Sequence, residues 1–432
     1  MEVKETSAKY SVPQFKRAET GNIPMDWLET PIGEMADVTS GGTPSRKVPA
    51  FWGGDIPWVT TAELGRGEVM GASQSITTAG LQNSAAKWLP AGTLLIALYG
   101  QGKTRGKCGV LRISATTNQA CAAIQLIDKV DSEFVRHSLT HRYEYIRGLS
   151  NGGSQENLSG AIVKQIRLVM PPTRAEQNAI ASALSDADAL IDSLEQMLTK
   201  KRQIKQGTMQ ELLTGKRRLP GFSESWSEGT LGQVVAELVA GVSVNSDATE
   251  AGTGVPSVVK TSAMKGGVFD PTECKPIIQT DLARATAQLR KNTLLISRMN
   301  TPDLVGEVGY VDQDYDWLYL PDRIWMTRMR SSECVCVRWL GFLLSSAQYK
   351  RRIGDAATGT SGSMKNIAKG ALLGVPVSFP KVDEQKAIAQ VLADMDADIA
   401  AVESHLTKAR AMKLTMAQAL LTGRIRLVEP NA

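Results

Sequence analysis

Residues 176–219 read EQNAIASALSDADALIDSLEQMLTKKRQIKQGTMQELLTGKRRL, and residues 384–427 read EQKAIAQVLADMDADIAAVESHLTKARAMKLTMAQALLTGRIRL. The two stretches align without a gap at a constant offset of 208 (384 − 176), and about 23 of 44 positions are identical, so they are copies of one element. The shared positions include Glu176-Gln177 with Glu384-Gln385, Asp186 and Asp188 with Asp394 and Asp396, and Leu212-Leu213-Thr214-Gly215 with Leu420-Leu421-Thr422-Gly423. In the first copy Ile180, Leu184, Ala187, Ile191, Leu194 and Leu198 fall at alternating spacings of four and three. The second repeats this with Ile388, Leu392, Met395, Ile399, Val402 and Leu406. That is the a/d pattern of a helix packed along a long seam. Pro171-Pro172 and Pro380 precede the copies, Thr173-x-x-Glu176 resembles a capping box, and Gly215 and Gly423 stand where C-terminal caps belong. Each helix is predicted to run about 39 residues, or roughly 58 Å at 1.5 Å per residue.

Outward from the helices the repetition weakens but continues. Trp27 and Gly33 parallel Trp226 and Gly232; Thr93-Leu94-Leu95-Ile96 and Gly106 parallel Thr293-Leu294-Leu295-Ile296 and Gly306. Gly153-Ser154-x-x-Asn157 likewise parallels Gly362-Ser363-x-x-Asn366, just before each globular module leads into its helix. The reading is an N-terminal arm (1–19), a module (20–172), a helix (173–218), a second module (219–380) and a second helix (381–432). Two like halves can associate about an approximate two-fold axis, which sets the helices antiparallel with one module at each end. The fold class is therefore α+β: two α/β modules separated by two long antiparallel coiled-coil helices. A heptad seam alone is most often a generic packing or dimerisation device; duplication of the flanking modules argues for a spacer with two heads.

At 432 residues the chain is too long for one ordinary core. With 42% hydrophobic and 22% charged residues it has a globular composition, and no apolar run reaches the ~18 residues of a membrane span. Residues 1–9 lack the apolar run of a signal peptide, which points to a cytoplasmic protein. Five cysteines without a C-x-x-C pair argue against a disulfide framework or a zinc site. The net charge of +5 permits a polyanionic partner without requiring one.

Catalytic constellations do not emerge. His137-x-x-x-His141 lacks the glutamate of a zinc-protease helix, and reads as packing or surface. Asp186-x-Asp188 and Asp394-x-Asp396 place their carboxylates two residues apart, which in a helix is not one face. Gly102-Lys103-Thr104 invites a nucleotide-binding reading, but a phosphate loop needs glycine where Ala97 stands, and residues 299–306 of the second module carry no counterpart. No cofactor or metal site is expected in this chain. The same Gly-rich stretch instead offers what duplex DNA recognition uses, with Gln101, Lys103, Thr104, Arg105 and Lys107 on a backbone that allows close approach. Arg46, Lys47, Asn118 and Gln119 extend the candidate set in the first module; Lys260, Lys265, Arg298, Asn300 and Arg323 form it in the second. For any one of these, a solvated surface side chain is the plainer reading. A scaffold whose modules bind peptides or lipids also remains open, and salt-sensitive DNA association separates it from a DNA reader.

Gly41-Gly42-Thr43-Pro44-Ser45, Trp52-Gly53-Gly54-Asp55-Ile56-Pro57-Trp58-Val59, Leu89-Pro90-Ala91-Gly92-Thr93, Gly100-Gln101-Gly102-Lys103-Thr104 and Thr117-Asn118-Gln119-Ala120 resemble the target-recognition domain of type I restriction-modification specificity subunits. The Pro-Pro-x-x-x-Glu-Gln lead into the first helix is similar to that family's central spacer. The resemblance covers essentially the whole chain; the second module matches less closely, and Phe379-Pro380 replaces Pro171-Pro172. It implies a non-catalytic subunit in which each module reads half of a split, asymmetric site in double-stranded DNA and the helices fix the unread gap. It also implies two methyltransferase (modification) subunits that carry S-adenosylmethionine, and restriction/translocase subunits that use ATP and Mg, with no membrane partner.

Overall fold

In a computed structural model of the chain, which describes residues 14–100, 103–149, 157–247, 252–331, 333–361 and 364–427, both duplicated segments are single helices. They are Arg174–Leu212 and Val382–Leu420, of 39 residues each. The chain forms two compact units, Met1–Glu195 with Ser404–Ala432, and Gln196–Glu403. Neither is one module with the helix that follows it. Each holds a module, the first half of the following helix and the second half of the other helix.

Ion pairs show the helix direction inside each unit. In the first, Glu195 pairs with Arg410 (2.6 Å), Asp188 with Lys413 and Glu176 with Arg426. In the second, Arg202 pairs with Glu403 (2.6 Å), Lys205 with Asp396 (2.5 Å) and Arg218 with Glu384 (2.6 Å). Residue numbers rise along one partner as they fall along the other, so the helix halves within a unit are antiparallel. Each pair of the second unit is a pair of the first shifted by the repeat (403 − 195 = 396 − 188 = 384 − 176 = 208).

The first module is built on a five-stranded sheet ordered Ala36–Ser40, Cys121–Leu126, Leu94–Ala97, Cys108–Leu111, Glu68–Val69. All its pairings are antiparallel except the last, which is parallel. Side chains alternate across a strand, and here both faces are covered. Leu94 and Ile96 join the cluster beneath the helices, whereas Leu95 and Ala97 join a second cluster on the opposite face with Val59 and Leu64. That explains the unbroken apolar run at 94–97. The second module repeats the plan in a six-stranded sheet, where Leu294 and Ile296 face one cluster and Leu295 the other.

The duplicated Glu-Gln dipeptide fastens each helix to its module. Gln177 accepts from the backbone N–H of Asp131 (2.9 Å) and donates to the Pro171 carbonyl (3.3 Å). Gln385 accepts from the Cys336 N–H (2.8 Å) and donates to the Pro380 carbonyl (2.8 Å). Asp131 and Cys336 are the N-caps of the module helices Ser132–His141 and Val337–Ser345, so one amide ties two helix starts together. Glu176 differs from the capping-box expectation. Thr173 Oγ1 does accept from the Glu176 N–H (3.2 Å), but the Glu176 carboxylate, 1% exposed, is bonded to Arg426 instead of turning back. At the far ends Gly215 and Gly423 adopt φ of +69°, the left-handed cap that glycine alone enters without strain.

The predicted seam divides by depth. Ile180 and Leu184 belong to the core of the first module, and Ile388 and Leu392 to that of the second, because the start of each helix is embedded in its own module. Leu198, Val402 and Leu406 are buried along the helices, while Ile191, Leu194 and Ile399 are half-buried. The stripe is therefore module core at its N-terminal end and a helix seam only beyond it. Among the described residues, no helix is long and apolar enough to cross a membrane.

Candidate nucleic-acid interface

Strand register gathers three loops of the first module at one end of its sheet. Ser40 lies opposite Ala122, Ala97 opposite Cys121 and Ile96 opposite Cys108. The described segments that leave these ends, 41–47, 98–100 with 103–107, and 118–120, must therefore emerge together. Backbone bonds from Leu98 to Ala120 (2.8 Å) and from Gly42 to Thr117 (2.9 Å) hold them. Gly41 and Gly42 are required by close approach: a Cβ on the first would sit 2.1 Å from the Thr117 carbonyl oxygen, and on the second 2.3 Å from the Ala86 nitrogen.

The 41–47 loop is locked by two indoles. Trp58 donates to the Gly42 carbonyl (2.9 Å) and Trp52 to the Ser45 carbonyl (3.2 Å), and the rings meet edge to face at 5.0 Å. Exposed Arg46 lies over the Trp52 ring at 3.5 Å and donates from Nη2 to Gln74 Oε1 (2.6 Å). Lys47 beside it is exposed. Thr43 Oγ1 donates to Gln119 Oε1, so Gln119, also exposed, stands against the same loop. Asn118 is half-buried, and its Oδ1 accepts from the Ala120 N–H (3.0 Å), holding the turn.

The Gly-rich stretch divides. Lys103 is exposed, with its carbonyl accepting from the Tyr143 hydroxyl (2.6 Å); Thr104 and Lys107 are half-buried. Arg105 departs from the sequence expectation. It is 9% exposed and donates to the Arg147 carbonyl (3.0 Å), so its guanidinium packs the loop onto the helix Tyr143–Gly148. Gln101 lies outside the described residues, as do Gly102 and the glycine-serine pairs Gly153-Ser154 and Gly362-Ser363.

The second module brings 241–247, 298–307 and 320–323 to the matching sheet end, since Ala240 lies opposite Trp325 and Ser297 opposite Ile324. The Arg298 N–H donates to the Arg323 carbonyl (3.0 Å), which puts those two predicted residues side by side. Arg323 is exposed; Arg298 is half-buried with its guanidinium 5.5 Å from the Trp325 ring. Asn300 accepts from the Thr301 N–H (2.9 Å) and donates to Ser297 (3.3 Å). Lys265 is exposed on the edge strand Met264–Lys265, and Lys260 is paired with Glu273 at 3.5 Å. The structure thus brings Arg298, Asn300 and Arg323 together and leaves Lys260 and Lys265 apart from that group.

Sequence reasoning missed the parts that fix these loops. Trp52, Trp58 and Gln74 order Arg46; in the second module Asp281 accepts from the Asn245 N–H (2.7 Å) and pairs with Arg284 (3.1 Å), which also donates to the Ser243 carbonyl. A pair of tryptophans six residues apart in one strand was the available signal. Among the described residues, no group of three or more His, Cys, Asp or Glu is placed to hold a metal ion. His137, buried, has its pKa pushed down to about 3, first by burial and then by Arg136 and Lys413, and so stays neutral.

The family described as "Type I restriction modification DNA specificity domain" matches residues 24–206. The type I restriction enzyme MjaIX specificity subunit of Methanocaldococcus jannaschii is 32% identical over 188 residues, a match that spans 42% of each chain and so less than half of that relative. The MjaVIII specificity subunit of the same organism is 23% identical over 434 residues, 98% of both chains. The solved S subunit of a type I restriction-modification system from M. genitalium superposes with a TM-score of 0.61 at 15% identity, covering 95% of this chain and 99% of that one. That likeness concerns the fold.

Proposed function

We propose that this chain is a specificity subunit of the type I restriction-modification kind, the non-catalytic targeting subunit of such a complex, a reading supported by the family match over residues 24–206 and by the full-length similarity to the MjaVIII specificity subunit. Each module grips one half of a split, asymmetric site in double-stranded DNA through the loop cluster at its sheet end. The single observation that carries this is the duplicated cluster, exposed Arg46, Lys47, Lys103 and Gln119 in one module and Arg323 beside Arg298 in the other. Guanidinium and amide groups on ordered loops are the chemistry of base-edge recognition, and lysines at their margins suit phosphates.

The long helices fix the separation of the half-sites. A 39-residue helix spans roughly 58 Å, which caps the gap at about 17 base-pair steps of 3.4 Å. The chemistry belongs to partners: two adenine methyltransferase subunits with S-adenosylmethionine, and restriction subunits that use ATP and Mg. This chain supplies position.

The test is genome-wide adenine methylation in cells expressing the cognate methyltransferase with and without this chain. A split motif that appears only with the chain is the expected result. Unchanged methylation, with the methyltransferase active and bound to the chain, overturns the reading.

A further inference from the structure

We infer that Arg46 reads a guanine in the half-site of the first module, and that Trp52 and Gln74 are the positioning residues that make it selective. The inference rests on the DNA-reading function proposed above and assigns one base to one side chain.

A guanidinium discriminates guanine from other bases by presenting two parallel N–H bonds to O6 and N7 in the major groove. A free arginine on a loop does this poorly, because ordering its long side chain opposes binding. Arg46 is ordered before any ligand arrives. Its Cζ lies over the Trp52 ring, 3.5 Å from the centroid, and 5.1 Å from that of Trp58. Contact with the indole restrains the group, and Arg46 remains exposed. Gln74 then accepts one hydrogen of Nη2 at 2.6 Å, which restrains it further. The Nη1 hydrogens and the second Nη2 hydrogen are the donors assigned here to the guanine. Gln74 is supplied by strand register, since it pairs with Trp58 across the small sheet, so the clamp is built from three separate segments.

The backbone beneath is equally fixed. Both indole N–H groups bond carbonyls of the loop that carries Arg46, and a Cβ on Gly42 would overlap the backbone at Ala85 and Ala86. No carboxylate is paired with Arg46 among the ion pairs of the described residues. Its charge is held by an indole face and a neutral amide, a combination that orients the group and leaves its attraction for an anionic groove intact. Lysine cannot replace it, because an ammonium has no planar fork.

The experiment uses the complete chain with its methyltransferase and duplexes carrying the methylated motif. Each guanine of the motif is replaced in turn by 7-deazaguanine, which lacks the N7 acceptor and keeps base pairing. One guanine is expected whose replacement weakens the wild-type complex about tenfold and leaves Arg46→Lys unaffected, because that variant has already lost the bidentate contact. Trp52→Leu and Gln74→Ala are expected to lower the discrimination at that guanine alone, with the other half-site read as before. Equal sensitivity of wild type and Arg46→Lys at every guanine, or a uniform loss of affinity across all duplexes, overturns the assignment in favour of a phosphate contact. A motif without guanine in either half does the same. Absence of any split motif with the wild-type chain removes the functional reading itself, before a variant is made.

Discussion

The two units close the same joint with different chemistry. Counting six residues from the N-cap that Gln177 or Gln385 binds gives His137 in the first unit (131 + 6) and Phe342 in the second (336 + 6). Phe342 lies 5.4 Å from the Lys205 ammonium, which also pairs with Asp396. His137 lies beside Asp188, to which Lys413 and Arg136 (3.6 Å) are bonded, and its Nε2 is 3.0 Å from Ser185 Oγ. One joint is a cation on a ring beside a carboxylate; the other is a polar network around a neutral imidazole. What survives in both is the lysine–aspartate pair and the Glu-Gln clasp. The repeat therefore preserves how a module is attached to the helices and leaves the rest of the module free to diverge.

The largest effect should come from breaking the shared part of this joint. Glu176→Ala leaves the Arg426 side chain, 10% exposed, without its buried partner, and Asp26 at 3.1 Å compensates only in part. Removing one member of a buried pair costs about 3 kcal/mol or more. Amide exchange is expected to accelerate in the strand Leu94–Ala97 and to stay unchanged in Thr293–Ser297. Equal acceleration in both strands would mean that the units do not unfold separately.

Next in size is a substitution that should injure both modules alike. Gly41 and Gly241 each follow the first strand of their module's main sheet, and a Cβ there would lie 2.1 Å from the Thr117 oxygen and 1.7 Å from the Leu320 oxygen. Backbone cannot give way as a side-chain tip can, so each Gly→Ala change is expected to cost about 2–3 kcal/mol in urea denaturation. A tolerated Gly241→Ala alone would show that the two loop clusters are not equivalent.

The difference between the joints predicts a difference in acid stability. Unfolded, His137 takes up a proton near its ordinary value of 6.5; folded, only near 3. Between those values the unfolded chain holds the extra proton, so the first unit loses stability as pH falls, by about 1.4 kcal/mol per pH unit, and is unaffected above pH 6.5. His137→Phe, which copies the second unit, should flatten this contribution when thermal unfolding is followed at pH 7 and pH 5.5. Persistence of the full slope in the variant would assign it to other groups.

These contrasts also mark how far the sequence could be read. The helices were legible to their length, because heptad spacing and the cap glycines at 215 and 423 are local signals. The loop clusters were legible as regions, because Gly-rich turns with basic and amide residues are also local. Arg105 was misjudged because its burial depends on the Arg147 carbonyl, 42 residues away. The Arg46 clamp was invisible for the same reason, since Trp58 meets Gln74 only through strand register. Glu176 looked like a capping residue because its true partner stands 250 positions along the chain.

The smallest expected effect sharpens the comparison from the other side. Lys201 pairs with Asp398 at 2.8 Å in the second unit, but the repeat places Ala409 (201 + 208) and Leu190 (398 − 208) at those positions in the first. The pair is thus private to one unit, and its side chains are 33% and 67% exposed. Water screens such a pair and holding two long side chains costs entropy, so Lys201→Ala should change stability by less than about 0.5 kcal/mol. The same reasoning orders the three shared pairs. Glu195–Arg410 and Arg202–Glu403 are about half exposed, and mutating them should matter little, whereas Glu176 and Glu384 are almost fully buried. A double-mutant cycle that found strong coupling between Lys201 and Asp398 would mean that this stretch of helix is less open to solvent than its exposure indicates. Weak coupling there, beside a strong effect at Glu176, would locate the energy of attachment at the module ends of the helices, where the Glu-Gln clasp sits.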